Sequence, residues 1–208
     1  IKVGQAPEMI VVGVNGVVCC SFYINSFEGD LLLESVIINE LVPHVDGAYR
    51  TKPQREFRAV EGFSMGGSGA AHLGFKYPEI FGVVSPDAAA LFDVAQGQAA
   101  VCCNNRYRAW NYAFGANPDY HGLQYPFTLA QQNADLLRDR TKIRIMVGDQ
   151  DEPWIMQRAA ELSSVLTSLG IRHEYRVVPG GTHDKSAFYN LLGPILFYTF
   201  YVRAFSSE

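Results

Sequence analysis

A chain of 208 residues, 48% hydrophobic and 18% charged, is long enough to bury one sizeable core. Its formal net charge of −4, with no basic run or aromatic-basic stripe, excludes an electrostatic nucleic-acid footprint. No apolar stretch reaches the length that spans a bilayer, so no membrane segment is expected; the richest, 191–202, carries Gly193 and Pro194 and reads as a buried terminal helix.

In chain order, Met9-Ile10-Val11-Val12-Gly13-Val14 is a continuous run of the kind expected of a strand buried on both faces of a parallel sheet. Residues 30–42 read as a helix ending at Pro43. Phe57-Arg58-Ala59-Val60 is a short strand, followed by a glycine-rich turn at 62–67 and a helix of small residues that Pro78 stops after Tyr77. Phe81 to Ser85 is a further strand. Residues 97–140 are aromatic and turn-rich, with a helical end at 129–138, which suggests an irregular insert at about 92–141 in a single domain 1–208. Residues 143–147 form a strand, 153–169 a helix closed by Gly170, and 173–178 the last strand. Strands alternating with helices predict an α/β fold with a mostly parallel sheet and right-handed crossovers.

The four cysteines form two adjacent pairs, Cys19-Cys20 and Cys102-Cys103. Metal sites space their ligands more widely, so neither zinc nor another metal is expected; a disulfide between the pairs and plain burial both stay open. The chain opens on Ile1 rather than Met, so a processed, trimmed or incomplete start is expected, and the compartment stays open, secretion included.

Chemistry concentrates at Gly62-Phe63-Ser64-Met65-Gly66-Gly67. In a strand-turn-helix context, G-x-S-x-G puts a serine on a strained turn with its hydroxyl outward. The Met65 N–H, at the helix N-terminus, then faces a developing oxyanion. A serine hydroxyl needs a histidine to take its proton and a carboxylate to orient that histidine, and in this fold class they follow in the order Ser, acid, His. Five histidines compete: His44 precedes the serine, His72 lies in the next helix, His121 in the insert, and His173 at a strand's start. His183, in Pro179-Gly180-Gly181-Thr182-His183-Asp184 after the last strand, stands where the order requires the base. For the acid, Gly148-Asp149-Gln150-Asp151-Glu152 offers three carboxylates. Spacing favours Asp151, with Asp149 and the earlier Asp87 as competitors; Asp184 is too close to His183 to orient it.

With these residues in place, the chain resembles the putative-esterase family of α/β-hydrolases, which includes feruloyl and acetyl-xylan esterases, S-formylglutathione hydrolases and mycolyltransferases. The resemblance rests on Met9 to Gly13 followed by Ser21-Phe22-Tyr23-Ile24-Asn25-Ser26, and on Glu40-Leu41-Val42-Pro43-His44-Val45-Asp46 with Tyr49-Arg50-Thr51. It continues through Gly62 to Gly67 with Lys76-Tyr77-Pro78, Phe114-Gly115 with Pro118 and Tyr120, Gly148 to Asp151, and Gly180 to Asp184. It implies Ser64 as nucleophile, Asp151 as triad acid and His183 as base, acting on a small-molecule ester with no cofactor. Tyr23, Phe63 and Trp154, with Tyr107, Trp110, Tyr112 and Phe114, are candidate walls of a substrate pocket, although half or more of these aromatics are expected in the core. Two departures stand out. Glu61 occupies a place where the family has a small residue, and a charge there is either solvent-facing or paired. Relatives also begin with further strands and a loop that supplies a second oxyanion N–H, so an N-terminally truncated fold is expected. Such a chain would self-associate through an exposed sheet edge. A serine esterase acting on short-chain or hydroxycinnamoyl esters is the leading expectation; acyl transfer to an alcohol or sugar, and a non-catalytic binding module, are the alternatives.

Overall fold

The computed structural model describes residues 8–16, 21–99, 101–102 and 107–206. Four parallel strands make the central sheet: β1 (Ala59–Phe63), β2 (Val83–Asp87), β3 (Lys142–Gly148) and β4 (His173–Val178), side by side in chain order. The register sets Phe63 beside Asp87, Asp87 beside Met146, and Gly148 beside Val178. The strands therefore finish at one level, the end at which an open α/β sheet carries its site.

Helices cover both faces. Before the sheet comes α1 (33–48); α2 (Met65–Lys76) joins β1 to β2, α3 (Pro153–Ser168) joins β3 to β4, and α4 (Lys185–Phe205) follows β4. Alternate strand residues point to opposite faces, so each face has its own core. Val84, Ile143, Ile145 and Val147 pack against Ala71 and Phe75 of α2 and Ile155, Leu162 and Leu166 of α3. Met146 and Val178 pack the other way, against Phe188 and Leu192 of α4. Each fully buried side chain of this kind contributes about 1.5–3 kcal/mol.

Several expectations are corrected. The run 9–14 is not a strand: it forms no ladder with any described strand, and Val11 is 81% exposed. β-branched residues favour extended backbone, but a strand needs a neighbour to accept its hydrogen bonds. Met9 and Val14 still anchor the segment, against the Val83–Tyr201 and Leu33–Leu73 clusters. Pro43 does not end α1 either. The turn Ile37–Leu41 widens to a π-helix, with Val42 N–H donating to Ile37 O, and the helix runs on to Ala48. A proline removes one N–H and crowds the carbonyl four residues back, and the wider turn relieves both.

The insert is not irregular. It holds a succession of short helices, Val94–Ala99, Ala109–Phe114, Pro118–Gln124, Pro126–Gln132 and Ala134–Leu137. Pro118 and Pro126 open theirs at positions where no N–H is needed, and the Asn117 side chain caps the first by accepting from Tyr120 N–H at 2.9 Å. Trp110 and Phe114 are core residues, packed with Phe22 and Ile24. The terminal helix is half-buried rather than buried: Phe188, Leu192, Phe200 and Tyr201 face the sheet while Leu191, Ile195 and Leu196 are exposed, with a kink at Gly193 (φ 71°). Among the described residues no helix is long and apolar enough to cross a membrane. The states of Cys19, Cys20 and Cys103, and of the Cys102 side chain, lie outside the described residues.

Candidate active site

β1 ends at Phe63 and α2 begins at Met65, so Ser64 alone turns the chain. It does so at φ 58° and ψ −116°, a conformation that costs a residue with a side chain about 1–3 kcal/mol. Backbone hydrogen bonds hold it there. Ser64 N–H donates to Asp87 O at 2.9 Å, while Ala90 and Ser68 N–H donate to Ser64 O at 3.0 and 3.1 Å. A Cβ on Gly62 would lie 2.3 Å from the Gly66 carbonyl, and one on Gly67 would lie 2.7 Å from Asp87 O. A Cβ on Gly66 would meet nothing, so the steric demand falls on Gly62 and Gly67 rather than on both glycines of the motif.

The loop after β4 brings His183 over this turn. Asp149 Oδ1 accepts from Gly180 N–H at 2.7 Å, and Gly181 O accepts from Gln150 N–H at 2.9 Å. Beyond His183, Asp184 caps α4 by accepting from Ala187 N–H at 2.7 Å. With both ends of the loop fixed, His183 Nε2 stands 2.8 Å from Ser64 Oγ and Nδ1 stands 2.9 Å from Asp151 Oδ1. The Asp151 side chain is fully buried, whereas the imidazole is 29% exposed. Asp151 Oδ1 also accepts from Glu152 N–H at 2.7 Å, and its Oδ2 is buried without a hydrogen-bond partner among the described residues.

The structure thus brings Ser64, His183 and Asp151 together, in the order acid, imidazole, hydroxyl. The competing groups are engaged elsewhere. Asp149 pins the His183 loop, and Asp87 turns to the α4 face, where Ser85 Oγ donates to it at 2.9 Å. His72 Nε2 lies 2.7 Å from Glu34 Oε2, and His173 Nε2 lies 2.7 Å from Ser163 Oγ. His121 is buried against Trp110, and that burial lowers its pKa to about 4. His44 is exposed on α1.

Of the pocket candidates, Phe63 lies with its ring 5.0 Å from the His183 ring. Trp154, in the first turn of α3, stacks on Phe92 at 4.7 Å. Tyr23 packs with Leu33, Ile37 and Leu73, its ring against Gly69 of α2. Met65 opens α2 next to the serine. One participant was not anticipated. Tyr189 of α4 reaches both Glu61, at 3.0 Å, and Asp87, at 2.9 Å, directly behind the serine turn. Its only trace in the sequence is its place six residues after His183.

Residues 20–199 match the family model described as "Putative esterase". No curated protein matches the chain significantly. Among solved structures, a ferulic acid esterase is 20% identical with a TM-score of 0.67, over 88% of this chain and 64% of its own. The Staphylococcus aureus fluorophosphonate-binding serine hydrolase FphF is 19% identical, with a TM-score of 0.71 over 88% of this chain and 69% of its own. The S-formylglutathione hydrolase FrmB of the same organism is 16% identical, with a TM-score of 0.68 and the same coverage. The chain therefore has the α/β-hydrolase fold and spans about two thirds of the length of these structures.

Proposed function

This chain belongs to the "Putative esterase" family, and on that footing we propose that it is a serine carboxylesterase. The observation that carries the reading is His183 bridging Ser64 Oγ and Asp151 Oδ1 through its two ring nitrogens. Ser64 Oγ attacks the ester carbonyl carbon as His183 Nε2 takes its proton. Asp151 accepts from Nδ1–H, fixing the tautomer and stabilising the imidazolium that forms. The oxyanion is met by the Met65 N–H at the start of α2, where the helix dipole adds to it. His183 then protonates the leaving alcohol. Water, deprotonated by the same nitrogen, attacks the acyl-enzyme and releases the acid and the serine.

The substrates proposed are short-chain or hydroxycinnamoyl esters, bound beside Phe63 and Trp154, with Tyr23 as a more distant wall. For the assembly, we carry the reading that the outer edge of β1 pairs with a second copy, since no described strand pairs there. A monodisperse monomer by light scattering would remove it.

The test is hydrolysis of p-nitrophenyl acetate and butyrate beside Ser64→Ala, with labelling by a fluorophosphonate probe, which needs an activated serine. Turnover and labelling that vanish together on substitution establish the reading. Equal background from both proteins, with no labelling, rejects it.

A further inference from the structure

The strand that delivers the nucleophile carries a carboxylate, Glu61, three residues before Ser64. Glu61 and Phe63 share a face of β1, and the register places Ser85 and Asp87 beside them on the same face of β2. Helix α4 lies over this face and sends two phenols into it. Tyr189 Oη is 3.0 Å from Glu61 Oε1 and 2.9 Å from Asp87 Oδ2, and Tyr201 Oη is 2.5 Å from Glu61 Oε2. On Asp87's other oxygen, Ser85 Oγ donates at 2.9 Å, and Arg144 Nε of β3 donates to that hydroxyl at 3.1 Å. Arg144 is held beyond by Phe197 O and by the Phe200 ring, 4.5 Å from its guanidinium carbon.

Counting hydrogens decides the arrangement. A neutral phenol has one to give, and Tyr189 faces two carboxyl oxygens. If both carboxyls were ionised, one of those short contacts would set lone pair against lone pair with no hydrogen between them, and on the Asp87 side the carboxyl is completely buried. Tyr201 cannot relieve this, because its hydrogen points at Glu61. One carboxyl therefore holds a proton. Asp87 is completely buried, while Glu61 is exposed and accepts from two phenols. Burial, then the charge of Glu61, push Asp87 well above the usual carboxylate range, and Arg144 pulls the other way without winning. Burial likewise raises both phenols, so neither ionises in its place.

We propose that Asp87, holding its proton, donates to Tyr189, that Tyr189 donates to Glu61, and that this relay clasps α4 to the nucleophile strand and so sets His183 against Ser64. The clasp acts at both ends of the site. Asp87 holds the serine turn through its backbone carbonyl and α4 through its side chain. Tyr189 is six residues beyond His183 on the helix that closes the histidine loop, and its ring lies 6.1 Å from Phe63, which in turn meets the imidazole. Glu61, Asp87 and Tyr189 are positioning residues; none is placed to touch the reacting atoms.

The first test is independent of enzymatic activity: unfolding equilibria of the wild type and Asp87→Asn between about pH 5 and 8. The folded state keeps a proton that an unfolded aspartate loses above about pH 4. The wild type should therefore lose folding equilibrium constant by about tenfold per pH unit relative to the variant, until Asp87 itself titrates. Asparagine is neutral and can donate to Tyr189, so Asp87→Asn should fold and lack that slope. Parallel pH curves would overturn the proposal. The second test rests on the esterase reading. Tyr189→Phe keeps the ring on Phe63 and loses the relay, so kcat on p-nitrophenyl acetate should fall about tenfold with KM within about twofold. Wild-type kcat in Tyr189→Phe would refute the positioning role. An inactive wild type would count against the esterase reading alone, and the stability comparison would still decide the proton.

Discussion

The Phe63 ring lies 5.0 Å from the His183 imidazole, with 36° between their planes, and Phe63 is the residue before Ser64. Strand β1 therefore delivers both the hydroxyl and the surface on which its partner imidazole rests. Replacing Phe63 with leucine keeps an apolar neighbour but removes the flat contact. We expect kcat for p-nitrophenyl acetate to fall by about tenfold to a hundredfold with little change in KM, because a displaced imidazole costs the transition state more than the bound ester. Stopped-flow acylation measures it, and an unchanged acylation rate would mean that the loop alone positions His183.

Asp151 and Asp149 stand two residues apart but do different work. Asp151 touches His183 Nδ1, whereas Asp149 accepts from Gly180 N–H. Asp151→Asn should therefore cost on the order of 10⁴ in kcat, since the amide can stabilise the wrong imidazole tautomer and cannot balance an imidazolium. Asp149→Asn keeps an oxygen that can accept from Gly180, and should stay within about tenfold of wild type. Equal losses in the two variants would mean that Asp151 is not the orienting acid.

How much of this was legible in the sequence depended on range. The Ser64 turn, the His183 loop and the helix from Pro153 are local patterns, in which a glycine, a proline or an apolar run decides the outcome over a few residues. The run 9–14 reads as a strand and is none, because strand formation depends on a neighbour, and no property of Ile10, Val11 and Val12 reports one. Pro43 reads as a helix stop, yet the π turn upstream absorbs it and the helix continues. Glu61 stands out of place in the sequence, yet Tyr189, which explains it, is 128 residues away and meets it only because α4 crosses the β1 end of the sheet.

The serine turn makes a prediction that separates two glycines of one motif. A methyl group on Gly62 would meet the Gly66 backbone at 2.3 Å, and backbone cannot step aside as a flexible side chain can. Gly62→Ala should therefore yield misfolded protein or lose several kcal/mol, on the scale of overpacked cores at about 1–3 kcal/mol or more. Gly66 lies in the first turn of α2 with open space around its Cβ, so Gly66→Ala should be neutral or stabilising by up to about 1 kcal/mol. Thermal unfolding of the two variants decides it, and equal tolerance would show that the turn is looser than its contacts imply.

Glu34 carries the last prediction, for acid stability. It is buried between α1 and α2, where His72 Nε2 lies 2.7 Å from one oxygen while Lys76 Nζ, at 2.8 Å, and the Tyr77 hydroxyl reach the other. Burial alone would raise its pKa. The His72 hydrogen bond and charge, then Lys76 and Tyr77, outweigh burial and hold the carboxyl at about 2, against an ordinary 4.5. A lowered folded-state pKa means that the unfolded chain binds the proton first as pH falls. The stabilisation is complete above about pH 5 and drains away between about pH 4.5 and 2. Its size is on the order of 3 kcal/mol. Glu34→Gln cannot change charge, so it should be less stable than wild type at pH 7 by that amount, with the gap closing as pH drops toward 2. Chemical denaturation at pH 7, 4 and 2.5 measures the gap. A constant difference across the three would mean that Glu34 contributes through packing and not through its charge.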